Sequence, residues 1–155
     1  MQSHPMQVRL RYDPWIDLAG RSDIVLEHSN LDGVLGYSEP GRVCLDTGQR
    51  RMQARCTLAH ELAHLDRGDL EVPVEDTPDG PRLARRHERG ADRLAARRLV
   101  ELDALADALR WARDEFELAN ELDVDPETLR VRLGGLTPGE RRCIGRRLGQ
   151  LHPQT

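Results

Sequence analysis

His60-Glu61-Leu62-Ala63-His64 is an H-E-x-x-H pattern set in the apolar, helix-favouring run Cys56-Thr57-Leu58-Ala59-His60-Glu61-Leu62-Ala63-His64-Leu65. Residues four apart share one face of a helix. Both imidazoles can therefore reach one Zn²⁺ from the same side, with Glu61 beside the open coordination position as a general base. The pattern fixes only three positions, so two helical histidines beside a surface glutamate satisfy it equally well. A third ligand elsewhere in the chain separates the two readings.

A catalytic zinc keeps three protein ligands and leaves one place for water. The segment Glu88-Arg89-Gly90-Ala91-Asp92-Arg93-Leu94-Ala95-Ala96 supplies a candidate in Glu88. Glu88 and Asp92 stand four apart on a predicted helix, with Ala91 and Ala95 as a strip of small residues beside them. Small residues let this helix approach the histidine helix closely. Glu88 can then reach the metal, and Asp92 can accept the free ring N–H of a ligand histidine and fix its tautomer. Taken alone, the same segment reads as an exposed helix whose acids pair with Arg89, Arg93 or Arg97.

Other ligands stay open at this level. Asp66, Asp69, His87 and Asp92 are alternatives for the third place. Asp66 follows His64 by two and points off the ligand face. Asp69 is nearer in phase but lies past Gly68, where the helix is expected to end. His87 lies on a different face from Glu88, and single helical histidines are usually solvated. Cys56 stands one turn before His60 and could offer a thiolate, but free cysteine is more commonly a buried small hydrophobe. A metzincin is excluded, because Arg67 occupies its glycine place and Leu70 its third histidine.

The two segments together resemble the ImmA/IrrE-type zinc metallo-endopeptidases, especially the short phage and actinobacterial forms. Thr57-Leu58-Ala59-His60-Glu61-Leu62-Ala63-His64 matches their first motif, and Glu88-Arg89-Gly90-Ala91-Asp92-Arg93-Leu94-Ala95-Ala96 the second. Tyr12-Asp13-Pro14-Trp15, Leu129-Arg130-Val131-Arg132-Leu133 and Leu136-Thr137-Pro138 extend the similarity over roughly residues 12–148. The resemblance implies zinc on His60, His64 and Glu88, with Glu61 as catalytic base. It implies a regulatory protein substrate, such as a phage or mobile-element repressor, rather than nutrient protein. The chain departs from the pattern at Gly90, where many members carry a second glutamate, and at Gly68-Asp69, where many carry glycine and histidine.

At 155 residues the chain is one or at most two small domains, long enough for a real core. Hydrophobic residues make up 38% and aromatics 3%, so Leu, Ala and Val must build that core. The formal charge of −4 offers no general attraction to nucleic acid or anionic membrane. Every basic residue is arginine, which removes lysine as a base or Schiff-base residue. Cys44, Cys56 and Cys143 are odd in number and widely spaced, which argues against a disulfide framework. With no apolar stretch of membrane-spanning length and no signal-peptide core in Met1–Arg9, a soluble cytoplasmic protein is expected.

The fold expected is α+β. Ile24–His28, Gly33–Tyr37 and Arg42–Asp46 are strand-like and separated by the turn signals of residues 30–33 and 39–41. They predict a small antiparallel sheet packed on a zincin-like H-E-x-x-H helix running from Gly48 or Gln49 to Arg67. A short entry helix falls within residues 12–20, a loop over one edge of the site at 69–81, and further helices at Pro81–Val100 and Asp103–Trp111. Residues 1–112 would form the metallopeptidase domain and 113–155 a helical appendage. Phe116–Leu133 in that appendage resembles a helix-turn-helix, with Ala119, Leu122, Val124 and Leu129 in its core and Asp125-Pro126 starting its second helix. Glu127, Thr128, Arg130 and Arg132 could then face DNA. The acidic flanks favour a packing role instead, since phosphate binding needs a basic footprint.

The function these readings support is zinc-dependent hydrolysis of a peptide bond in a specific intracellular regulatory protein. Tyr37, His28 and the arginine-rich helix are candidates for stabilising the oxyanion. The alternative is a non-catalytic zinc-fold regulator that acts by protein or DNA binding.

Overall fold

The computed structural model describes residues 11–71 and 77–149. The expectations for Met1–Arg9 and for the middle of the 69–81 loop fall outside those residues. Asp13 caps the first helix, α1 (Pro14–Ala19), by accepting the Trp15 N–H at 2.8 Å, with Pro14 in the first turn where its missing N–H costs nothing. Three strands follow, β1 (Val25–Ser29), β2 (Gly36–Glu39) and β3 (Arg42–Asp46).

The sheet corrects the antiparallel expectation. It is mixed, in the order β1-β3-β2: β3 pairs antiparallel with β2 but parallel with β1. The physical reason lies in β3. Val43, Cys44 and Leu45 are all buried, the continuous apolar run of a strand covered on both faces. β3 therefore takes the centre, and the more polar β1 and β2 become edges. β2 also starts later than its apolar letters suggest, leaving Val34 and Leu35 exposed. It begins at Gly36 because α2 presses against it there: a Cβ on Gly36 would lie 2.8 Å from the Thr57 methyl.

The helix α2 (Arg51–Arg67) runs through the middle of the molecule. Leu58 and Leu62 are fully buried against Val43 and Leu45 of the sheet. A fully buried leucine contributes about 1.5–3 kcal/mol. Ala59 and Ala63, on another face, share a second cluster with Ala91 and Ala95 of α3 (Gly80–Leu99). The middle of α2 is therefore buried on two faces, Cys56–Ala59 and Glu61–His64, while its two ends carry the exposed charged residues. Gly68 ends α2 in the left-handed conformation at φ 71°, and Asp69–Glu71 form a short 3-10 turn beyond it. Arg21 bonds both Asp17 and Asp66, and Arg98 reaches Asp66 at 2.8 Å, so one acid–base network ties α1, α2 and α3.

The chain continues through α4 (Leu102–Leu109), α5 (Glu115–Glu121), α6 (Pro126–Gly134) and α7 (Pro138–Gly149). The division expected between residues 112 and 113 falls in the turn between α4 and α5. Leu118, Ala119, Leu122, Val124 and Leu129 share a hydrophobic cluster with Cys56, Ala59 and Ala91, and α6 packs on α3. Asp125 caps α6 by accepting the Thr128 N–H at 2.7 Å, and Pro126 opens it, as the sequence predicts. Asp123 holds the turn at φ 55°, where a helix-turn-helix more often has glycine.

Candidate metal centre

α2 and α3 bring the singled-out side chains together. His60 and His64 lie one turn apart with ring centroids 4.6 Å apart and planes at 87°. Glu88 on α3 spans both, with Oε2 at 3.0 Å from His60 Nε2 and Oε1 at 2.9 Å from His64 Nε2. Ligand atoms of His60, His64 and Glu88 all lie within 4.8 Å of one another. This close approach depends on Ala59, Ala63, Ala91 and Ala95, all buried where the two helices pack. The small-residue strip predicted for α3 thus sets the distance across the site.

Each imidazole turns Nε2 toward this common point and Nδ1 toward its own carboxylate. Asp92 Oδ1 is 2.8 Å from His60 Nδ1, as the spacing of Glu88 and Asp92 predicts. Asp69 Oδ2 is 2.9 Å from His64 Nδ1, and this partner went unassigned at the sequence level. The sequence offers Asp69 as a ligand candidate, not as a partner behind His64. The left-handed turn at Gly68 folds it back beneath His64 and buries it, a path that helical phase alone does not reveal. Asp66 faces away into its pairs with Arg21 and Arg98. His87 is half-buried, with Nε2 3.9 Å from Asp69 Oδ1. Cys56 is buried, and burial pushes its thiol up to about 11, which keeps it protonated and unsuited to ligation.

The electrostatics match the geometry. Burial disfavours a charged His60 ring, but hydrogen bonds to Asp92 and Glu88 outweigh it and raise its pKa to about 10. His64 shifts the same way, burial being overcome by Glu88 and Asp69. Hydrogen bonds to both rings hold the Glu88 carboxyl far below the usual carboxylate range. The cluster therefore demands positive charge at its centre. Two imidazole nitrogens and one carboxylate oxygen, with both rings oriented from behind, are a donor set that suits a zinc ion with one open position. These residues fit the metal.

Glu61 is buried on α2 next to the cluster, and Ser38 of the edge strand β2 donates its hydroxyl to Glu61 Oε2 at 2.7 Å. Nothing local in Gly36-Tyr37-Ser38-Glu39 signals this, because the contact exists only once β2 lies over α2. The cluster opens into a cleft of about 600 Å³, bounded by Tyr37 and Ser38 on one side and by Thr128 and Val131 of α6 on another. Tyr37 is the only one of the oxyanion candidates that lines it, since His28 and the arginines of α3 do not.

The four residues of the less favoured DNA-facing alternative lie in the cleft, in an ion pair and in the core. Glu127 and Thr128 line the cleft, Arg130 pairs with Glu115, and Arg132 is buried with its guanidinium on the Val100 carbonyl and Glu140. The helix-turn-helix-like segment thus spends this face on the cleft and the core.

The fold is α+β, and two histidines and a glutamate around one point, beside a buried carboxylate at an open cleft, form a group that could hold a metal ion. The family model described as Peptidase_M78: IrrE N-terminal-like domain matches residues 9–134, and the chain belongs to this metallopeptidase family. No curated protein and no solved structure matches the chain.

Proposed function

We propose that this protein is a zinc-dependent endopeptidase that cleaves a specific intracellular regulatory protein, such as a phage or mobile-element repressor. The observation that carries the reading is the convergence of His60 Nε2, His64 Nε2 and the Glu88 carboxylate next to buried Glu61 at a cleft. His60, His64 and Glu88 would hold the ion, with Asp92 behind His60. The chemistry that zinc held there would supply is polarisation of the scissile carbonyl and a lowering of the pKa of water toward about 7.

The chain's own groups supply the rest. Ser38 occupies one oxygen of Glu61, which keeps the carboxylate turned to the cleft and leaves its other oxygen free to take a proton from water. Glu61 then passes that proton to the leaving amine, so that the water's O–H bond and the peptide C–N bond break while a new C–O bond forms. Of the oxyanion candidates Tyr37 is the one that lines the cleft, which supports it as the donor to negative charge on the carbonyl oxygen. The cleft is bordered on one side by an edge strand and on another by α6, which suits an extended segment of a chosen protein over general digestion. The repressor class rests on the family resemblance.

Candidate repressors co-expressed with wild type or with Glu61→Gln test this reading. Fragments are expected with wild type only, with little action on casein-like substrates. Equal fragmentation by both forms would contradict it. Repressor inactivation by Glu61→Gln without any cleavage would point to the alternative, a non-catalytic regulator acting by binding.

A further inference from the structure

Three residues outside the expected ligand set converge behind His64. Asp69 is buried, with Oδ2 at 2.9 Å from His64 Nδ1. The same oxygen accepts a hydrogen bond from Arg67 Nε at 3.1 Å. The Arg67 guanidinium in turn lies across α3 at Gly90: a Cβ built there would sit 2.0 Å from Arg67 Cζ and 2.1 Å from its Nη2. No side chain at position 90 leaves Arg67 where it is. The second oxygen of Asp69 faces His87 at 3.9 Å. The glycine is otherwise costly, since it sits inside a 20-residue helix where alanine is the better helix former.

We infer that Gly90, Arg67 and Asp69 form a latch that positions His64 for metal binding: Gly90 leaves the space, Arg67 fills it and aims Asp69, and Asp69 fixes the His64 ring and its tautomer. The inference rests on the metal-site reading above. In that site His60 and His64 each have a dedicated carboxylate: the one behind His60 is carried by α3 itself, and the one behind His64 is held by Arg67 lying across α3 at Gly90. α3 thereby contributes three times, through Glu88 between the two rings, Asp92 behind His60 and the bare backbone at Gly90. These are positioning residues, since they act through the His64 ring: Asp69 on its Nδ1 and Arg67 on Asp69.

The test uses the full chain, with zinc ion as the probe and chelator competition as the affinity readout. Asp69→Asn should weaken zinc about 10–100-fold, as loss of a carboxylate behind a ligand histidine does. Gly90→Ala and Arg67→Ala should each weaken it about tenfold, at the low end of that range. The double variant should lose no more than either single one, because both remove the same contact. Gly90→Ala should keep or raise helix content, which separates the latch from misfolding. A second readout is the ¹⁵N shifts of the His64 ring in metal-free protein, which should move in all three variants. Wild-type zinc affinity in Gly90→Ala, additive losses in the double variant, or unchanged His64 shifts would each overturn the latch. Failure of the wild type to bind zinc would instead sink the metal-site reading, while the His64 shifts would still decide whether the latch exists.

Discussion

Glu61 follows His60 on α2 and Asp92 reaches the same histidine from α3, and the proposed function gives the two acids separable tasks. Glu61 is buried with one oxygen on Ser38, and in the proposed mechanism its other oxygen takes the proton while the ion is left to His60, His64 and Glu88. Glu61→Gln should lower peptide cleavage by about 10²–10⁴-fold, the range for a positioned general base, while zinc binding stays near wild type. Asp92 acts behind His60 at 2.8 Å. Asp92→Asn should leave the ligand set intact but weaken zinc by about 10–100-fold, measurable by chelator competition. A Glu61→Gln protein that loses its zinc, or an Asp92→Asn protein that binds as tightly as wild type, would reverse these roles.

Among the elements, the contact between α2 and α3 governs the site. Ala91 has no exposed surface and lies in the cluster shared with Ala59 and Ala63. Ala91→Leu should cost about 1–3 kcal/mol in stability by overpacking, read from denaturant unfolding. It should also weaken zinc, because Glu88 rides on the helix that is pushed away. Unchanged zinc affinity in a destabilised Ala91→Leu protein would show that helix spacing does not set the site. The two metal helices were legible in sequence because local signals mark them: four-residue spacing at His60/His64 and Glu88/Asp92, small residues at Ala91 and Ala95, and Gly68 as a stop. The sheet was only half legible. Strand positions follow from local composition, but pairing does not, and the central place of β3 showed only in its burial on both faces. Ser38 and Asp69 were missed as partners for the same reason, since one contact spans 23 residues and the other depends on a left-handed turn. Arg132 is buried, as the favoured packing reading of its segment expects, but its partners Val100 and Glu140, 32 and 8 positions away, could not be named from the sequence.

Across the whole molecule, buried Arg132 joins α6 to the residue ending α3 and to α7. Glu140 accepts from Arg132 at 2.7 Å and from the Thr137 N–H at 3.1 Å, while Thr137 returns a bond to the Glu140 N–H, a capping box that also starts α7. Arg132 and then Thr137 lower the Glu140 pKa from 4.5 to about 2. A depressed carboxylate contributes stability above its unfolded value and loses it as pH falls through the folded one. Glu140→Gln should therefore be less stable than wild type at pH 7 by about 1–3 kcal/mol, the worth of a hydrogen bond to a charged group. That gap should shrink below pH 4.5 and vanish near about 2. A gap that stays constant over this window would show that the charge of Glu140 does not matter. The account as a whole turns on whether α2 and α3 build one metal site. The most direct measurement is zinc bound per chain at equilibrium in wild type, Glu61→Gln and Glu88→Ala. One ion per chain in the first two, with binding lost in Glu88→Ala, is the predicted result; full occupancy in Glu88→Ala, or none in wild type, would contradict it.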